Sequence, residues 1–150
     1  MSDTDTHTPA VKTHTDGGVR TIELNRPEAL NAWNRALGEE LLAALRDARD
    51  EPSVRAVLIT GAGRAFSSGA DLKDFSGGEL TPSGRPDVYK TLTERYHPIM
   101  QSIREMEKPV IAAVNGPAVG IGCSLALCCD LILAAQSSYL LLAFVNIGLV

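Results

Sequence analysis

The chain reads as an α/β protein in which parallel strands are joined by helical crossovers. Three observations carry this reading. Val54–Thr60 (VRAVLIT) and Pro109–Val114 (PVIAAV) are short apolar runs rich in β-branched residues and alanine, as buried strands are. Each run feeds a glycine-rich loop that ends at a short helix. Between the runs, apolar residues recur at helical spacing, so strands alternate with helices.

The elements follow in order. Ala10–Thr15 and Val19–Leu24 alternate in polarity around Asp16-Gly17-Gly18, which predicts a hairpin. Asn25-Arg26-Pro27 breaks the second strand. From Asn34 to Arg49, Leu37, Leu41, Leu42, Leu45 and Ala48 make one helical face, and Pro52 stops that helix. Gly61–Asp71 is a glycine- and serine-rich loop, and Ser76–Pro86 (SGGELTPSGRP) is the most flexible internal segment. A second helix is expected over Asp87–Glu107, with Val88, Leu92, Tyr96, Ile99 and Ile103 on one face and Pro98 kinking or dividing it. After Pro109–Val114 come a glycine turn, a helix near Ile121–Cys129 and a strand over Leu131–Ala135. Residues 1–9 have almost nothing to bury and are expected to be a disordered tail, leaving 10–150 as the core.

Composition narrows the function. The net charge of −4 argues against nucleic acid or an anionic membrane as the main partner. No uninterrupted apolar run approaches the ~18 residues that span a bilayer. Three cysteines, Cys123, Cys128 and Cys129, crowd one apolar segment without a signal peptide ahead, which fits a reduced, cytoplasmic setting. They read as small apolar residues on a buried helix. Tyr139–Val150 (YLLLAFVNIGLV) is apolar nearly throughout, a patch that more chain or a partner should cover, so the sequence looks like a fragment.

The chemistry centres on Lys108–Asp130 (KPVIAAVNGPAVGIGCSLALCCD). Gly116, Gly120 and Gly122 allow positive φ and close approach by a ligand, and the helix that follows begins with unpaired N–H groups suited to negative charge. A dinucleotide site fails, because the next strand ends Ala134-Ala135-Gln136 without the acid that reads a ribose. A P-loop fails because Gly61-Ala62-Gly63-Arg64 lacks the Gly-Lys-Ser/Thr ending. The second loop, Gly61 to Lys73, changes the picture: two strand-to-loop junctions can aim two backbone N–H groups at one carbonyl oxygen. His97, before a proline, reads as structural, and His7 and His14 have no metal-ligand spacing. Asp71 and Asp130 read as fixing loop and helix ends, and Trp33 as packing on the helix it precedes.

Taken together, Asn25-Arg26-Pro27-Glu28-Ala29-Leu30-Asn31-Ala32, Phe66-x-x-Gly69-Ala70-Asp71-Leu72-Lys73 and Lys108–Gly116 with Leu125–Asp130 resemble the crotonase (enoyl-CoA hydratase/isomerase) superfamily, in the family's order. The resemblance implies a crotonase-like spiral of strand-strand-helix turns and an acyl-CoA thioester substrate. It needs no cofactor beyond the coenzyme A of the substrate. The thioester enolate would sit between the N–H groups of Ala70 and Ile121. Ser68, Gly69, Asp71, Leu72, Lys73 and Gly120 would line the substrate site, Ala29 and Leu30 the adenine end, and Arg26 or Lys73 could face CoA phosphate. Family members associate as trimers or dimers of trimers, so a homotrimer or hexamer is implied.

The departures are informative. The two glutamates of family hydratases correspond to Ser124 and Phe144, and neither side chain can act as a carboxylate acid or base. Tyr96-His97-Pro98 and the ending Ala143–Val150 are similar to the ring-opening and double-bond isomerase branch, whose aspartate follows the Gly-Leu-Val stretch at which this chain stops. The expected activity is therefore isomerisation of an enoyl-CoA. A hydratase with a non-standard acid and a non-catalytic acyl-CoA-binding protein are the rivals.

Overall fold

A computed structural model describes residues 8–75, 80–85 and 87–147. Val11–Asp16 (β1) and Val19–Leu24 (β2) form the expected antiparallel hairpin, with Val11 opposite Leu24 and Asp16 opposite Val19. Gly17 and Gly18 both hold positive φ, at 55° and 84°, the two-residue turn that matches the twist of a hairpin. The chain then runs through a 3₁₀ turn, Pro27–Ala29, into helix α1, Arg35–Asp50, and returns as β3, Ala56–Gly61, parallel to β2.

Beyond β3 come the short helix α2, Leu72–Phe75, then α3, Val88–Thr91, and α4, His97–Arg104. Strand β4, Val110–Val114, lies parallel to β3, and a two-residue strand β5, Ala118–Val119, leads into α5, Ile121–Cys128. Strand β6, Leu131–Ala134, adds to β4, and β7, Leu140–Leu141, pairs with β5. The main sheet is ordered β1-β2-β3-β4-β6, and β5-β7 forms a separate small one. The α/β class expected from the sequence is what the chain adopts.

One core holds this together. Ile22, Leu24, Val57, Ile59, Val110 and Ala112 on the sheet pack under Leu37, Leu41, Leu45 and Ala48 of α1 and Ile99 and Ile103 of α4, all of them buried. The α1 periodicity thus reports a buried face directly. Asn34 starts the helix, its side-chain oxygen accepting from the Leu37 N–H at 2.9 Å, an N-cap. At the other end, Lys108 Nζ donates to the carbonyls of Ala48 (2.7 Å) and Glu51 (2.8 Å), placing positive charge at the helix C-terminus. Lys108→Met keeps the stem but strands those acceptors. It should lower stability by about 1–2 kcal/mol, readable as a lower urea midpoint with an unchanged slope.

The helix expected over Asp87–Glu107, kinked or divided by Pro98, is divided into three pieces, with the irregular turn just ahead of the proline. A π turn, Leu92–Tyr96, separates α3 from α4, with the His97 N–H reaching back to the Leu92 carbonyl. Pro98 has no N–H to continue an α ladder and its ring crowds the preceding turn, so a wider turn just ahead accommodates it. Ile99 and Ile103 still face the core, whereas Leu92 is exposed.

Other differences are smaller. The strand expected at Val54 begins at Ala56, and Val54 is buried in the turn before it, its N–H on the Glu51 carbonyl. The strands β5 and β7 and the helix α2 are too short to show a period. Most of the expected tail at 1–9, Ser76–Glu79 and Pro86 of the expected loop, and Gly148–Val150 lie outside the described residues. Leu131 and Leu133 on the edge strand β6, and Leu140, Leu142 and Val145 further on, are exposed apolar side chains. No helix among the described residues is long and apolar enough to cross a membrane.

Candidate active site

The site grows from the carboxyl ends of β3 and β4, two adjacent parallel strands, where open α/β sheets usually bind ligands. The loops leaving them are fastened to each other. The Asn115 side chain accepts from the Gly61 N–H at 3.1 Å and donates to the Gly63 carbonyl at 3.0 Å. The N–H groups of Phe66 and Ser67 share the Pro117 carbonyl, and the Val119 N–H bonds the Ser67 carbonyl at 2.9 Å. Gly116 and Gly122 serve this contact between loops rather than positive φ. A Cβ at Gly116 would lie 2.1 Å from the Arg64 carbonyl oxygen, and one at Gly122 would lie 2.6 Å from Ser67 Cβ. Of the three glycines, only Gly120 holds positive φ, at 54°.

A third segment straps the first loop from the other side. Ser68 N–H donates to the Leu30 carbonyl at 2.9 Å, and Ser68 Oγ to the Ala29 carbonyl at 3.4 Å. Ser67 Oγ donates to the Asn31 carbonyl at 2.9 Å. Asn31 is fully buried at positive φ, and its amide donates to the carbonyls of Ala62 and Ala65. Trp33 completes the strap: its N–H bonds the Gly69 carbonyl at 2.7 Å, and its carbonyl accepts from the Asp71 N–H at 3.0 Å.

These bonds determine where Ala70 points. The peptide unit joining Gly69 to Ala70 is planar and trans, so its C=O and N–H face opposite ways. Trp33 takes the carbonyl, and the Ala70 N–H is turned to the other side. The Gly120–Ile121 peptide repeats the device. The Ser124 N–H bonds the Gly120 carbonyl at 3.0 Å, with Ser124 Oγ at 3.4 Å from the same oxygen, and Ile121 is the first residue of α5, where an N–H has no acceptor within the helix. Among the described residues, neither N–H donates to another protein group. The two donors follow abutting glycines, since a Cβ at Gly120 would lie 4.0 Å from Gly69 Cα.

Ser124 and Phe144 flank the same turn. Ser124 is half-buried, and Phe144 Cε1 lies 3.9 Å from where a Gly120 Cβ would be. Arg26 has its guanidinium on Asp71 Oδ2 at 3.0 Å and on the Ala32 carbonyl at 2.6 Å. Asp71 uses its other oxygen to accept the Lys73 N–H at 3.1 Å. Burial would push the Asp71 carboxyl up, but Arg26 and the Lys73 N–H outweigh it and hold it below the usual carboxylate value. Leu72 and Lys73 are exposed at the start of α2.

Trp33 is 2% exposed and meets Tyr96 edge to face at 5.7 Å, with its indole N–H unpartnered among the described residues. A cavity of about 260 Å³ touches this pair and Asp71 but neither Ala70 nor Ile121. Cys123 and Cys129 are buried, and desolvation pushes the Cys129 thiol up to about 12. Asp130 accepts from the Val110 N–H at 2.8 Å, which fixes the start of β4. Asn31, Ser67 and Asn115 are the residues that sequence reasoning left without a role. For Asn31 and Asn115 the signal was polarity between apolar or glycine neighbours, where a buried amide must find partners, whereas Ser67, beside Ser68, gave no such signal.

Comparison with known proteins agrees with this architecture. Residues 14–150 match the family model described as enoyl-CoA hydratase/isomerase. The chain is 38% identical over 141 residues to 1,2-epoxyphenylacetyl-CoA isomerase of Escherichia coli K12, covering 93% of this chain and 53% of that protein. It is 46% identical over 132 residues to a protein of Rhodobacter capsulatus named probable enoyl-CoA hydratase, covering 88% and 48%. The crystal structure of an enoyl-CoA hydratase from Mycobacterium smegmatis superposes with a TM-score of 0.84 at 35% identity, covering 95% of this chain and 54% of that one. The chain thus spans about half the length of the curated relatives it matches. With the family's motifs in order, its fold matched and its model covering nearly the whole sequence, the chain belongs to the enoyl-CoA hydratase/isomerase family.

Proposed function

We propose that this chain supplies the enolate-stabilising half of an enoyl-CoA isomerase. The observation that carries the proposal is the pair of backbone N–H groups, Ala70 and Ile121, on two fastened loops and without acceptors among the described residues. A thioester carbonyl bound between them gains negative charge as an α- or γ-proton leaves. Each pre-oriented donor then stabilises the transition state by about 3–4 kcal/mol. The oxygen needs no side-chain cation. The Lys73 backbone and the Ala29–Leu30 turn, both hydrogen-bonded to the Ser68–Asp71 loop, would receive the CoA portion.

The proton is carried by a group other than residues 124 and 144. Ser124 Oγ is turned to the Gly120 carbonyl, and Phe144 is apolar. Addition of water through two glutamates is therefore disfavoured, while a one-base shuttle that moves a double bond requires neither. The E. coli relative is named an isomerase and the R. capsulatus relative a hydratase, so the test separates those outcomes. The full-length protein is incubated with 3-enoyl-CoA and with 2-enoyl-CoA, and the products are resolved by mass and chromatography. Conversion of the 3-enoyl to the 2-enoyl thioester without hydrated product is the expected result. Hydration of the 2-enoyl substrate would replace isomerase by hydratase, and tight binding without turnover would leave an acyl-CoA-binding protein.

A further inference from the structure

We propose that Arg26 is a positioning residue for the Ala70 N–H, acting through Asp71, rather than a contact for CoA phosphate. The inference rests on the oxyanion reading above and adds to it the group that holds the first donor in place. Ala70 is pinned on both sides. Its upstream peptide is set by the Trp33 N–H on the Gly69 carbonyl. Its downstream neighbour, Asp71, is set by the Trp33 carbonyl and by its own carboxylate. That carboxylate is engaged on both oxygens, Oδ2 by Arg26 at 3.0 Å and Oδ1 by the Lys73 N–H at 3.1 Å.

Arg26 can do this because it is itself fixed. Its N–H donates to Asn31 Oδ1 at 2.8 Å, and its Nη1 donates also to the Ala32 carbonyl at 2.6 Å, one residue before Trp33. One guanidinium thus ties the strap and the loop together across the bond by which Trp33 orients Ala70. The side chains of Arg26 and Asp71 are only 19% and 16% exposed, so the pair is shielded more than a surface ion pair and is correspondingly directional. Both contacts run through Nη1, so this nitrogen is committed to Asp71 and Ala32 and is not available to a phosphate. Without the guanidinium, Asp71 keeps the Trp33 carbonyl and the Lys73 N–H but loses its tie to the strap, which loosens the hold on Ala70.

The test reads the carbonyl itself. In 4-dimethylaminocinnamoyl-CoA the chromophore runs into the thioester carbonyl, so hydrogen bonds to that oxygen shift its absorption to the red. The full-length protein should bind it with a marked red shift. Arg26→Gln should bind with nearly the same Kd yet lose most of the shift, and Arg26→Lys should recover part of it. In turnover, Arg26→Gln should lower kcat with little change in KM. If Arg26→Gln does not fold, Asp71→Asn is read by the same criterion. An undiminished shift in a folded variant overturns the positioning role, and loss of binding with a full shift at saturation would return Arg26 to the CoA phosphate. No shift in the unsubstituted protein would instead remove the oxyanion hole itself.

Discussion

Ile121→Pro should lower kcat by about 10²–10³-fold, or roughly 3–4 kcal/mol, while the protein stays folded and KM changes little. The substitution removes one atom of interest, the hydrogen on the Ile121 nitrogen. Proline is well suited to the position, because Ile121 is the first residue of α5, where the N–H is outside the helical ladder and φ near −65° is already required. The residue before it also permits the change. Gly120 holds φ 54° and ψ −121°, the mirror image of the extended conformation that a proline favours in its predecessor. The ring is smaller than isoleucine, so some packing is lost in a side chain that is 8% exposed. Ile121→Val is the control, since it trims the side chain and retains the donor. A loss of kcat shared equally by the two variants would mean that packing, not the N–H, is responsible. A kcat in Ile121→Pro within about twofold of the parent would end the assignment of this donor.

What the sequence made legible follows from how local each cause is. The hairpin is written in Asp16-Gly17-Gly18 and α1 in the spacing of Leu37, Leu41 and Leu45, because both are satisfied by neighbours within a turn or two. The strands β3 and β4 announce themselves as apolar runs. The π turn ahead of Pro98 was half legible: the proline forbids a continuous helix, but whether the chain kinks, breaks or widens depends on Ile99 and Ile103 reaching the core beneath α1. The strands β5 and β7 have two residues each, too few for a period, and exist because Tyr139 and Leu141 offer carbonyls to Ala118 and Gly120.

The site divides in the same way. Its two glycine loops were legible as motifs, and so was the lack of a carboxylate at Ser124 and Phe144. The partner of Arg26 was not. Asp71 stands 45 residues away, and Lys73, two residues further on, carries the same charge as Arg26 and could equally have been its rival for a ligand. Only the register of the strap against the loop decides which cation meets the carboxylate. The glycines show the same limit, since composition marks Gly116 and Gly122 as permissive, but only the neighbouring loop explains why a side chain is excluded there.

Gly116→Ala tests that last point and should be a severely damaging single methyl. The added Cβ would lie 2.1 Å from the Arg64 carbonyl oxygen, 2.9 Å from the Arg64 carbonyl carbon and 3.1 Å from Ala65 Cα. All three are backbone atoms of the first loop, so no rotamer change relieves the contact, and the loops must separate. Separation stretches the Asn115 bonds and the paired N–H groups of Phe66 and Ser67 on Pro117. The expected cost is about 3 kcal/mol or more, a fall in Tm of roughly 10 °C for a chain of this size. Gly17→Ala is the comparison, with φ at 55° but nothing within 4 Å of the new Cβ. It should cost only about 1–2 kcal/mol, the strain of a left-handed alanine. The two variants also differ in function. Opening the loop contact moves Ala70 away from Ile121, so Gly116→Ala should weaken the red shift of the bound cinnamoyl thioester even below its Tm, whereas Gly17→Ala, at the far end of the hairpin, should leave it intact. Equal melting temperatures in the two variants would show that the loops are not in the contact on which the paired donors depend.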